Sequence, residues 1–266
     1  MIDDPRSLAA DAASFLADTL RVSRIDLALV LGSGWASGAD RLGERLGEVA
    51  LGEVPGFAKP AVEGHGGSVV VVRTTSGKVA AIFTGRTHYY EQRDVAAVAH
   101  GVRTAAAWGA TTLVLTNGCG GLNPDWPPGS VVLIKDHINL TGATPLRGAT
   151  FIDMSEAYSR RLRALARQVE PTLPEGVYVQ FHGPQYETPA EVRMAGIMGG
   201  DLVGMSTTLE TIAAREAGME VLGLSLVTNA AAGMSETNLD HADVLAAGRD
   251  AGPKLATLLA GIVATL

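Results

Sequence analysis

"VAAIFTGRTHYYEQRD", Val79 to Asp94, runs apolar from Val79 to Phe83 and breaks at a glycine. It then crowds an arginine, a histidine and two tyrosines into five positions. A short run that is apolar at every position reads as a strand covered on both faces. A cation, a titratable ring and two phenols just past its end read as the wall of a ligand site.

Similar runs recur along the chain. They cover Ile25–Leu31, Ser68–Arg73, Lys78–Thr84, Thr111–Thr116, Ser130–Ile134, Gly176–Phe181, Leu202–Met205 and Glu220–Thr228. Helical patterns lie between many of them: Asp94–Trp108, Ser155–Val169, and a last helix from near Leu239 that bends at Pro253. Thr188 and Glu191, with Pro189 between, have capping-box spacing, and Thr207 and Glu210 repeat it for a helix ending near Gly218. Strands alternating with helices predict an α/β fold, and the hairpin-like pair at 68–84 makes the sheet mixed. The expectation is one domain over residues 1–266, with a central mixed, largely parallel β-sheet flanked by helices. No linker divides the chain.

Composition narrows the class. Hydrophobic residues make up 47% and charged residues 18% of the 266, enough for a large core. The net charge of -7 and the lack of a basic patch argue against nucleic acid. The longest apolar stretch, "LATLLAGIVATL", is too short to span a bilayer, and the acidic start is unlike a signal peptide. Cys119 is the only cysteine, so no intrachain disulfide forms. The chain is expected to be cytoplasmic.

The uncommon polar residues follow the strands. Ser33 follows the first, Arg86 and His88 the third, Asn117 the fourth, Glu187 the sixth, Ser206 the seventh and Asn229 the eighth. Ligands of open α/β folds collect at the carboxyl ends of strands, so these residues are expected to share one site.

Several local patterns carry chemistry. "LGSGWASG" bends at Gly32–Gly34, either as an anion-wrapping turn or simply as a turn; its third glycine comes one residue late for a dinucleotide fingerprint. Arg86 presents a fork of donors suited to phosphate oxygens, and His88 is able to donate to the same anion. "TNGCGGLNPDWPPGS" lets backbone approach a ligand at Gly118, Gly120 and Gly121, with Cys119 read as a packed thiol. "GMSTTLE" misses the nucleophile elbow at Thr208. It places Ser206 at a helix N-terminus, where hydroxyl and free N–H groups suit an anion, or serve as a cap alone. Glu187 is suited to accept from a ligand N–H, and Asn229 to read a ring edge carrying a carbonyl and a nitrogen. The six histidines show no metal spacing. His100 and His137 read as structural, and His65 sits in a loop suited to act as a lid.

Taken in order, "GSG", "GRTHYYE", "TNGCGGLNPDW", "DHINLTG", "FIDMSEAYS", "GPQYET", "VGMST", "LVTNAAAG" and "HADVLAAG" resemble the trimeric, 6-oxopurine-preferring purine nucleoside phosphorylases over nearly the whole chain. The resemblance implies reversible phosphorolysis of inosine, guanosine and their 2′-deoxy forms to free base and α-(deoxy)ribose 1-phosphate. It implies a pentosyltransferase of purine salvage with inorganic phosphate as co-substrate and neither cofactor nor metal. On it, Ser33, Arg86, His88, Ser206 and the Gly118 N–H bind phosphate. Tyr90 and Met205 line the ribose, and His241 meets the 5′-hydroxyl. Tyr186, Glu187, Val203 and Asn229 hold the purine, with Asn229 stabilising the departing base at N7 and O6. Asn229, Glu187, His88 and His241 form the catalytic set. Phe151 is the aromatic lent to a neighbouring subunit's ribose, which implies a homotrimer.

The sequence departs from the family pattern at Tyr186 (often Phe), at Ala230 (often Lys), at Gly118–Cys119 (often two alanines) and at Gln92–Arg93. None of these removes a proposed catalytic group. The alternatives are a 5′-methylthioadenosine phosphorylase, opposed by Asn229 and His241, and a non-catalytic nucleoside- or phosphate-binding module.

Overall fold

The computed structural model describes residues 4–58, 67–235 and 241–266, apart from the side chains at 36, 37 and 241–245. Its strands are β1 (Leu27–Val30), β2 (Glu44–Ala50), β3 (Ser68–Arg73), β4 (Val79–Phe83), β5 (Thr112–Gly121), β6 (Val131–Asn139), β7 (Glu175–Gln180), β8 (Leu202–Gly204) and β9 (Glu220–Ala230). Its helices are α1 (Pro5–Leu20), α2 (Tyr89–Gln92), α3 (Val95–Ala107), α4 (Arg160–Val169), α5 (Pro189–Ile197), α6 (Thr208–Glu216) and α7 (His241–Thr265), with Pro253 inside the last.

The strands join in one sheet, ordered β2-β3-β4-β1-β5-β8-β7-β6-β9. Successive residues of the central strands serve opposite faces. Ala28, Val30, Ala81, Phe83, Leu113 and Leu115 pack with α1 and α3 residues such as Leu16, Ala99 and Val102. Leu27, Leu29, Ala80, Ile82 and Val114 pack instead with Leu162 of α4 and Leu255, Leu259 and Ile262 of α7. The continuous apolar runs of the sequence thus reflect helices on both faces, as anticipated.

The sheet also closes on itself. β9 pairs with β5 as well as with β6, so β5, β8, β7, β6 and β9 form a ring. β5 and β9 run parallel from Thr112↔Glu220 to Gly121↔Ala230. β8 runs against β5, with Gly120 opposite Val203. The antiparallel β3–β4 pair is the hairpin read from 68–84.

Two expectations need correction. Asn117 and Asn229 do not lie past strand ends: β5 continues to Gly121 and β9 to Ala230, because each supplies the other's backbone hydrogen bonds through these polar positions. The fourth helix starts at Arg160 rather than Ser155, where the Ser159 hydroxyl accepts from the Leu162 N–H. β2 and α1 had no counterpart in the sequence reading; α1 starts at Pro5 on an Asp4 cap that accepts from the Arg6 N–H.

Candidate active site

The chain leaves β4 at Phe83 and brings Arg86 against Thr116 of β5, its side chain only 5% exposed. Its Nε donates to Glu210 Oε1 at 3.1 Å and its Nη1 to the Thr116 carbonyl at 2.7 Å, with the Ser206 hydroxyl 3.4 Å from Nη1. Nη2 is buried without a partner among the described residues. A buried guanidinium edge with donors to spare calls for an anion.

Ser206 reaches this point because β8 runs back along β5. Two residues past Gly204 the chain is level with Asn117, and Asn117 Nδ2 donates to Thr207 Oγ1 at 2.8 Å. Thr207 has φ 79° and ψ -50°, and the Thr208 N–H bonds back to the Ser206 carbonyl at 2.9 Å. This is the rare hand of γ-turn, strained for a β-branched residue. It aims the Ser206 and Thr207 hydroxyls at each other, 3.1 Å apart.

The helix that follows does not offer free N–H groups, as the sequence had suggested. Gln180 Oε1 accepts from the Thr208 and Leu209 N–H groups at 2.9 and 3.3 Å, and Glu210 Oε2 accepts from the Thr207 N–H at 2.9 Å. The Ser206 N–H goes to the buried Tyr178 hydroxyl. What this turn gives the cavity is the Ser206 hydroxyl.

His88 stacks on Tyr90 with ring centroids 4.8 Å apart, and its Nδ1 lies 3.2 Å from Glu91 Oε1. Burial, helped by the Arg86 charge, holds its pKa below the usual histidine value, so the ring is neutral at pH 7.

On β9 the register against β5 shifts between Cys119 and Gly120, leaving Thr228 as an extra residue. The Thr228 hydroxyl lies 3.1 Å from the Cys119 carbonyl and 2.8 Å from Asn229 Oδ1, and Asn229 Nδ2 donates to the Ala230 carbonyl at 2.9 Å. This bulge re-aims Asn229 and still leaves its amide one N–H and one lone pair. Glu187 is buried, and its Oε1 has no partner among the described residues. Burial pushes its carboxyl above the usual range.

These groups line one cavity of about 630 Å³. Ser33, Arg86, His88, Tyr90, Gly118, Tyr186, Glu187, Val203, Met205, Ser206 and Asn229 are all on its wall. Phe151 is not: it lies on a loop, 92% exposed. His65 lies outside the described residues. His241 opens α7, but its side chain lies outside the described part.

The readings of Cys119 as a packed thiol and of His100 and His137 as structural hold. Cys119 is buried with its thiol pushed up to about 12, too high for a nucleophile. His100 bonds the Pro55 carbonyl at 2.8 Å and His137 the Tyr158 hydroxyl at 3.0 Å, burial taking His137 down to about 4. Among the described residues no group of three His, Cys, Asp or Glu is placed to hold a metal ion, and no helix is long and apolar enough to cross a membrane. Motif reading found Glu210 as the acidic member of a capping box, which forms, but missed its bond to Arg86, and it missed the bulge at Thr228.

A profile of the phosphorylase superfamily matches residues 26–264. A purine nucleoside phosphorylase of Cellulomonas sp is 59% identical over 263 residues, covering 97% of this chain and 93% of the relative. The chain belongs to the purine nucleoside phosphorylases. The backbone of this phosphorylase agrees. The structure of a schistosoma purine nucleoside phosphorylase in complex with hypoxanthine superposes with a TM-score of 0.89 at 32% identity, over 97% of this chain and 96% of that one. The Schistosoma mansoni enzyme in complex with inosine gives 0.89 at 31% identity, over 98% and 96%.

Proposed function

We propose that the cavity carries out phosphorolysis of 6-oxopurine nucleosides, inosine and guanosine and their 2′-deoxy forms. One observation carries this reading: a buried donor, Arg86 Nη2, and a buried acceptor, Glu187 Oε1, each unpartnered among the described residues, lie on the wall of a single cavity. An anion satisfies the first and a purine N–H the second. Schistosome relatives solved with hypoxanthine, inosine and adenosine support a purine ligand, and the 6-oxo preference rests on Asn229 and Glu187.

In this reading phosphate sits among Arg86, Ser33, Ser206, His88 and the Gly118 N–H, below a ribose bounded by Tyr90 and Met205. Tyr186 and Val203 pack the base. As the glycosidic bond breaks, positive charge grows on the sugar and negative charge on the purine. Phosphate is both nucleophile and counter-charge to the sugar, and its fixed cradle needs little reorganisation. Asn229 donates to the base as it becomes an anion, while ionised Glu187 accepts from N1–H. Phosphate is a co-substrate, and the step uses no cofactor or metal. Phe151, exposed on this protomer, is lent to a neighbour's ribose in a homotrimer. The lone, buried thiol suits a reducing compartment such as the cytoplasm.

The test is phosphate-dependent release of base from inosine, guanosine, adenosine and methylthioadenosine. The two 6-oxo nucleosides should be cleaved far faster than the others. Preference for methylthioadenosine, or binding without phosphate-dependent turnover, would overturn the proposal.

A further inference from the structure

Glu210 is a carboxylate bonded to the guanidinium of the proposed anion site, and in isolation it would repel the anion. Its side chain is only 3% exposed and both oxygens are engaged. Oε1 takes the Nε–H of Arg86 at 3.1 Å; Oε2 takes the N–H of Thr207 at 2.9 Å. The first bond fixes one edge of the guanidinium. With Nη1 held by the Thr116 carbonyl, Nη2 is left as the edge without a protein partner among the described residues. The second bond caps α6 at the residue whose φ of 79° turns the chain beside Ser206. In an ordinary N-terminus this N–H would face water or a ligand. Here a single side chain spans the two halves of the cradle, one from the loop after β4 and one from the turn after β8.

We propose that Glu210 is the positioning residue of the phosphate cradle, setting the Arg86 fork and the Ser206 turn relative to each other without touching the anion itself. The inference rests on the phosphate reading above and adds a residue to it. Opposite charges at this distance also cancel locally, so the anion is held by aimed donors more than by net positive charge. Phosphate affinity should therefore depend on geometry that Glu210 maintains, while the purine end, built on Glu187 and the β9 bulge, should not depend on it.

Steady-state kinetics on Glu210→Gln and Glu210→Ala, beside Arg86→Ala, test this. Gln keeps the shape but serves either Arg86 or Thr207, not both. Phosphate KM should rise about ten-fold or more in Glu210→Ala and by a smaller factor in Glu210→Gln, with kcat lowered in both, while inosine KM and hypoxanthine Kd without phosphate stay within about two-fold. If the Ala protein does not fold, the Gln protein carries the comparison. Unchanged phosphate KM in the Glu210 variants, with Arg86→Ala impaired, overturns this inference alone. Equal loss of phosphate and hypoxanthine binding overturns it too, as a general structural role. If Arg86→Ala also leaves phosphate KM unchanged, the phosphate reading falls and this inference with it.

Discussion

Arg86 occupies the space that a side chain on Gly32 would need: a Cβ there would stand 2.8 Å from Nη1 and 2.6 Å from the Thr116 carbonyl oxygen. The nearer clash is with the carbonyl of a central strand, so the Gly32 turn itself must shift, and it disturbs the guanidinium bonded to that carbonyl. Gly32→Ala should raise phosphate KM by about ten-fold or more through lost charge-assisted hydrogen bonds. Gly118→Ala is the contrast. Its Cβ would press on the Thr228 methyl at 3.1 Å and reach Ser33 at ordinary contact distance, Cβ at 3.6 Å and the carbonyl oxygen at 3.7 Å, so it should keep its phosphate affinity. Phosphate titrations of both variants check the pair, and the same KM in both refutes the distinction.

Glu187 should cost the free enzyme stability. Its folded pKa is raised by burial, so the native chain holds the proton more tightly than the unfolded chain does. Stability is then lost as pH rises from the ordinary carboxylate pKa through the raised one. Glu187→Gln should show a higher Tm than the parent at pH 7 in the absence of ligand. The gap should close below pH ~3, where the parent is protonated in both states. The variant should also bind inosine poorly. Thermal melts at the two pH values decide; a lower Tm at pH 7 would refute it.

Asn229→Asp should turn the base preference. The Ala230 carbonyl, now an acceptor for Nδ2 at 2.9 Å, would face a carboxylate oxygen, and that oxygen would favour a ligand donor. Adenine offers one where hypoxanthine offers a carbonyl. The ratio of kcat/KM for adenosine over inosine should rise about ten-fold or more. An unchanged ratio would remove Asn229 from base recognition.

Phe151→Ala should raise inosine KM, with phosphate KM little altered. Losing an aromatic wall of a filled site costs on the order of 1.5–3 kcal/mol. If the ring acts on a neighbour, mixing Phe151→Ala with Asn229→Ala protein and re-equilibrating the subunits should recover activity. Each mixed assembly then holds sites with an intact Asn229 and an intact borrowed ring. No recovery would refute the lending of Phe151 to a neighbour.

Much of this was legible in the residues. Strands covered on both faces, such as Val79–Phe83, announce themselves as unbroken apolar runs, and Thr188–Pro189–Glu191 forms the capping box that its spacing implies. The polar wall of the cavity was legible because arginine, glutamate and asparagine are uncommon beside buried strands. What was hidden depends on register. Nothing local to "TLETIAA" says that Glu210 will face Arg86, 124 positions away. Nor does "LVTNA" say that Thr228 will fall out of step with β5; the parallel pairing of two distant strands decides that. β2 was missed because only Val49 of its seven residues is buried, so it carries no apolar pattern.

That same poverty of apolar residues has a use. With β9 bonded on both sides, β2 is the one strand at the rim of the sheet among the described residues. An unpaired rim invites another chain to extend it. Glu44, Arg45 and Glu48 are all exposed on β2, and an incoming copy would have to desolvate them. The phosphorylase should resist strand-to-strand aggregation at its weakest border, and an apolar rewrite of those three positions should make it precipitate.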